Sequence, residues 1–136
     1  MRFETKIAIA VRADLPVWQK LNVTAFLASA IAGADRGLIG EPYEDGSGIR
    51  SLAMFRQPVL VFAGSGGDLT KAHGRLLERN LPFALYTEEM FSTGHDEANR
   101  AAVKAVATEA LKIVGLRMHG DRKDVDKIVK GMALHP

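Results

Sequence analysis

Ile7, Ile9 and Val11 alternate with Ala8 and Ala10 near the start of the chain. A period of two marks a strand, and its alanine side leaves room for a helix to pack closely. The pattern then changes. Asp14 stands where a helix cap belongs, Pro16 suits a first helical turn, and an Ala-rich helix is predicted to run to about Ala32 and stop at Gly33. From Val23 onward this helix is apolar nearly all round, so it is expected to be covered on two sides. Residues 37–48 read as an acidic, glycine-rich loop, and Ser51–Phe55 as a short strand. Val59–Phe62 is a continuous apolar run of the kind found in doubly covered strands, followed by a helix capped by Asp68. Strands at 83–86 and 111–118 follow, with helices at 96–106 and from Asp121 onward. Strands alternating with helices predict an α/β fold, a three-layer α/β/α sandwich with a mixed, mostly parallel sheet of about four strands. The strands Lys6–Val11 and Val59–Phe62 are expected at its centre.

The chain has 136 residues, which is one domain, 1–136. A folded chain of 14.7 kDa exposes roughly 6,900 Å², about a third of its extended surface, so a full core is available. With 0 cysteines there is no disulfide, thiolate metal site or thiol nucleophile. The net charge of +2 is spread out rather than gathered into a basic stripe, which argues against DNA as a partner. Glu4 interrupts any leader-like apolar run, and the longest apolar stretch, Val23–Ala34, falls short of the about 20 residues a bilayer requires. The expectation is a cytoplasmic protein with no membrane association.

Ala63-Gly64-Ser65-Gly66-Gly67 lies close to the nucleophile-elbow pattern, with Asp96 and His119 following in the matching order. That elbow belongs to a sheet larger than this chain can build, so a flexible turn is the ordinary reading. The same glycines suit an anion at a helix N-terminus, but neither common phosphate-loop pattern is complete. His73 reads as a packed core-edge residue and His135 as terminal. His95, beside Thr93 and Asp96, is the one histidine placed like a functional group, although a helix start would also explain it. No histidine pair has metal-ligand spacing, so neither metal nor cofactor is expected. Trp18 is assigned to the core in preference to a contact surface.

The run Lys6–Leu15, a strand followed by Arg12 and then Asp14-Leu15, resembles the opening of the peptidyl-tRNA hydrolase II family. Asp126–Leu134 resembles that family's closing helix and final short strand. Asp14-Leu15-Pro16, Leu21–Ala25, Leu38-Ile39-Gly40, the 45–48 loop and the stretch 120–134 are closer to an uncharacterised bacterial family sharing this fold. The resemblance runs nearly end to end. It implies the peptidyl-tRNA hydrolase II-like fold, and it places Lys20, shifted by one residue, at that family's lysine. Thr24 and Leu27 take its Gln and His positions, Glu88 stands near its acidic residue, and its threonine before the fourth strand has no counterpart.

Two functions follow. One is hydrolysis of an ester or related bond, on a small-molecule or RNA-linked substrate, with Lys20 and Glu88 as catalytic residues. The other is non-catalytic binding of a small molecule or partner on the same fold. In both, Asn22, Thr24, Tyr86 and Thr87 are expected to line one cleft at the carboxyl ends of parallel strands, with Asp14 and His95 completing the ligand-binding set. The resemblance, together with large side chains at Trp18, Met90 and Phe91, implies a C2 homodimer.

Overall fold

The computed structural model describes residues 2–136; Met1 lies outside that range. Its main sheet has five strands in the order β5-β6-β1-β4-β7. They are β1 (Thr5–Arg12), β4 (Val59–Gly64), β5 (Phe83–Thr87), β6 (Ile113–Asp121) and β7 (Ala133–Leu134). The expected mostly parallel sheet is corrected here: β1 and β4 are parallel, whereas β1–β6, β5–β6 and β4–β7 are antiparallel. The link between β5 and β6 contains α3 (Asp96–Lys104), which makes it look like a crossover in sequence. It begins and ends at the same sheet edge, so β6 runs back beside β5. Strand periodicity carries no information about direction.

β1 is central, as expected. β4 pairs with β1 along its whole length, but on its other side only Phe62 and Ala63 meet β7. It is therefore an inner strand at one end only, because β7 is two residues long.

The alternation in β1 sorts the two faces of the sheet. Ile7, Ile9 and Val11 pack with Val23, Leu27 and Ile31 of α1 (Val17–Ala34). Ala8 and Ala10 pack with Leu69 and Leu76 of α2 (Gly66–Glu78) and with Val125 and Ile128 of α4 (Arg122–Ile128). On the α1 face, a Cβ added at Gly115 would come within 2.5 Å of Val23 and 2.8 Å of Leu27. Glycine there lets α1 lie directly on the β6 backbone.

Three local expectations change. Helix α1 begins behind Pro16 with no side-chain cap, since the Asp14 carboxylate instead accepts a hydrogen bond from Arg12 Nε at 2.6 Å. It is covered on one side only, and Trp18, assigned to the core from sequence, is 61% exposed. At α2 the cap is Ser65 rather than Asp68. The Asp68 N–H donates to Ser65 Oγ at 3.1 Å and the Ser65 N–H donates back to the Asp68 carboxylate at 2.9 Å, a reciprocal capping box. The hydroxyl of the elbow-like motif thus holds a helix end. Finally, the 37–55 stretch contains a hairpin, β2 (Tyr43–Glu44) and β3 (Arg50–Ser51), that stands off the body of the protein. Its turn is held by the Asp45 carboxylate, which accepts the Ser47 and Ile49 N–H groups, and Gly48 takes the φ of +83° that the turn requires. The predicted strand at 51–55 is reduced to Ser51 and an isolated bridge between Phe55 and Ile39.

Candidate functional site

Because β5 and β1 are both antiparallel to β6, and β4 is parallel to β1, the strands β1, β4 and β5 end at one edge. Arg12, Gly64 and Thr87 close these strands, which is where open α/β sheets hold ligands. The first helix leaves from this edge and the 88–99 segment returns over it.

Trp18, Asn22 and Phe26 are spaced four residues apart, so they form one stripe down α1. The stripe faces Tyr86 and Phe91, and together they enclose a cavity of about 230 Å³ whose polar rim includes Thr93, His95, Asp96 and Asn99. The aromatic rings touch in sequence: Trp18 and Phe91 lie edge-on at 6.3 Å, Phe91 and Tyr86 are 5.2 Å apart, and Tyr86 meets Phe26 edge-on at 5.6 Å. Burial pushes the Tyr86 phenol above its usual range, with no opposing hydrogen bond or charge.

The rim is built by helix-start chemistry. His95 is the N-cap of α3, and its Nδ1 accepts the Ala98 N–H at 3.2 Å. Thr93 Oγ1 bonds the Met90 carbonyl at 2.8 Å and also the Asn99 side chain, which pins the 93–99 turn. Asp96 forms an ion pair with Arg100.

The candidate residues from sequence fall into three places. Asn22, Tyr86 and His95 share the pocket. Asp14 and Glu88 are joined through Arg12, whose NH1 lies 3.1 Å from Glu88 Oε2. Burial opposes the charge on this guanidinium, but the bonds to Glu88 and Asp14 outweigh it and hold its pKa above the usual value. Lys20 points elsewhere, its Nζ 3.1 Å from His135 Nε2, and Thr24 donates to the Lys20 carbonyl at 2.7 Å. A helix turns about 200° in two residues, so Lys20 and Asn22 occupy opposite flanks of α1. Thr87 is buried, with its N–H directed at the Met90 sulfur. Phe26 and Asn99 are absent from the residues expected from sequence, where Trp18 belongs to the core, Phe91 to a dimer contact and Thr93 only to the surroundings of His95; the i, i+4, i+8 stripe of Trp18, Asn22 and Phe26 is the signal that joins the helix residues to the pocket.

Among the described residues there is no group of three or more His, Asp or Glu side chains arranged to hold a metal, and no helix long and apolar enough to cross a membrane.

A family model described as a protein of unknown function, DUF2000, matches residues 5–136. The solved structure of Atu0240, a protein of unknown function from Agrobacterium tumefaciens strain C58, is similar at a TM-score of 0.97 and 50% sequence identity, covering 99% of this chain and 100% of that one. No curated protein matches.

Proposed function

The chain belongs to the DUF2000 family of proteins of unknown function, and we propose that it binds a small planar organic molecule between α1 and the 86–99 segment without transforming it. The observation that carries this reading is the pocket wall: four aromatic rings from Trp18, Phe26, Tyr86 and Phe91 around the Asn22 amide. Apolar walls with a few directed polar groups are the composition of ligand sites. A volume of about 230 Å³ is below the ~300–1,000 Å³ of drug-sized pockets, which selects a molecule of about one ring. Asn22 can match an amide or carboxamide edge, and the Tyr86 hydroxyl can donate to a carbonyl.

Binding is favoured over hydrolysis because the polar groups are already committed. Lys20 lies against His135 and Glu88 against Arg12, so neither is aimed at the pocket. His95 accepts a backbone N–H through Nδ1, so when neutral it carries its proton on Nε2 and has no free lone pair to act as a base. An RNA-linked substrate would also need phosphate contacts, and Arg12 at this edge is already held by two carboxylates. The proposal retains a peptidyl-tRNA hydrolase II-like fold, supported by the opening strand-to-helix passage through Arg12, Asp14 and Leu15 and by the closing α4 and β7.

Trp18 is the only tryptophan, so its fluorescence reports on the pocket directly. Titration with benzamide, phenol and indole should give saturable changes in the millimolar range or tighter. Asn22→Ala should weaken benzamide about tenfold, the loss of one buried hydrogen bond, while Lys20→Ala should leave it unchanged. Failure of every probe to saturate, with Lys20-dependent cleavage of peptidyl-tRNA or a generic ester, would replace this reading with the hydrolase.

A further inference from the structure

The surface area is too large for a compact chain of this size. The protein exposes 8537 Å², against roughly 6,900 Å² for a compact monomer of 14.7 kDa. The excess of about 1,600 Å² is twice the ~800 Å² that a stable interface takes from each partner. It is also apolar in two places. Val17, Trp18, Leu21 and Phe26 of α1 are 70%, 61%, 67% and 49% exposed. On and beside the hairpin, Tyr43, Ile49, Leu52 and Met54 are 51%, 67%, 89% and 59% exposed. A two-stranded hairpin with two residue pairs is marginal on its own in water. Both surfaces require a cover.

We propose that the cover is a second copy of this chain, with the two α1 helices packed antiparallel across a two-fold axis at Ala25. The exposed i, i+4 ridge of α1 is Val17, Leu21, Ala25, Ser29 and Gly33. It is large and apolar in its first half and small in its second. Reversed on itself about Ala25, it sets Val17 opposite the partner's Gly33 and Leu21 opposite the partner's Ser29. Every large side chain then meets a small one. Gly33 offers open space, with no atom within 4 Å of where a Cβ would stand. Ridges at this spacing are the ones that interdigitate in helix packing.

The hairpin fits the same symmetry. It leaves the C-terminal end of α1 through Arg36–Leu38, and antiparallel packing sets that end beside the N-terminal end of the partner helix. The hairpin of each copy therefore lies over Val17 and Trp18 of the other, and its Glu41 and Glu44 meet a first turn of α1 that carries no acid. Since Trp18 and Phe26 also line the pocket, the second copy closes the pocket mouth. One two-fold contact accounts for both exposed surfaces. The inference holds whatever the pocket binds.

The chain has 0 cysteines, so one introduced thiol gives an unambiguous reading. Only a residue on the axis meets its own copy, at the ~3.5–4.5 Å Cβ separation a disulfide requires. Sedimentation equilibrium of the wild type should give twice 14.7 kDa at micromolar concentration. Ala25→Cys should cross-link to a dimer on mild oxidation, whereas Leu77→Cys, exposed on α2, should not. Leu21→Glu should sediment as a monomer with unchanged circular dichroism, and its Trp18 emission should shift to the red of the wild type. A wild-type mass of 14.7 kDa, or a dimer in which Ala25→Cys stays uncrosslinked or Leu21→Glu stays paired, would overturn the proposal.

Discussion

Helices α1 and α2 each follow a strand that ends at the same sheet edge, yet their sequences solve different problems. α2 opens on a capping box, buries Leu69, Ala72, His73 and Leu76, and presents a largely polar outer face. It is the sequence of a helix covered once. α1 has no side-chain bond at its N-cap, no acidic residue in its first turn and no basic residue in its last, and apolar side chains project from both flanks. It is the sequence of a helix covered twice, resting on a chain that covers it once. The two faces of the sheet differ in the same way. The α2 side is packed with Ala8, Ala10, Leu116 and Met118. The α1 side also holds Arg117, buried with one guanidinium nitrogen 3.3 Å from the Ala30 carbonyl, and burial pulls its pKa down. Both faces hold an apolar core and a buried histidine or arginine, but only the α1 side adds a pocket.

The sharpest way to break this comparison is to delete the same side chain from each helix. Leu69→Ala, at 0% exposure on α2, should cost about 3 kcal/mol in urea unfolding, transfer and cavity terms together. Leu21→Ala, 67% exposed on α1, should change stability by less than about 0.5 kcal/mol at a dilution where the chain is monomeric. Equal losses would mean that α1 is as deeply packed as α2. Removing the α2 cap is the next largest effect. Ser65→Ala should cost about 1 kcal/mol in the same assay, with no effect on pocket binding. The Ser65 backbone N–H, and after it the Ser65 side chain, hold the Asp68 carboxyl below 3.8, so the stability that Asp68 contributes is present above pH 3.8 and lost as pH falls through its folded value. Ser65→Ala, which removes the hydroxyl's share of that shift, should therefore flatten this acid decline.

The smallest effect compares the two faces by protonation. Burial lowers His73 on the α2 side; it also lowers His119 on the α1 side, where Asp35 opposes the shift and Arg117 adds to it. Below the ordinary value of 6.5 the unfolded chain takes up protons that the folded chain refuses. Stability should therefore be full above about pH 7 and decline toward about pH 5. His73→Gln and His119→Gln should each flatten that decline. A slope unchanged in both variants would place the titration elsewhere.

Much of this architecture was legible from residue patterns. The two-residue period of Ile7, Ile9 and Val11 against Ala8 and Ala10 specified a strand packed on both faces, because alternate side chains leave a pleated backbone in opposite directions. The apolar circumference of α1 specified a helix wanting two covers. Part of the candidate pocket was legible too, since Asn22, Tyr86 and His95, all members of the expected ligand-binding set, line it together. Strand direction was not legible: β6 and β7 run against their neighbours, and hydrogen-bond direction leaves no mark on a hydropathy pattern. Nor was the parting of Lys20 from Asn22 registered, because residues near in sequence are not near in space on a helix. The commitments of Glu88 to Arg12 and of Lys20 to His135 join positions 76 and 115 residues apart. Local sequence sets which face a side chain leaves by, and only the folded sheet and its covering helices decide what it meets there.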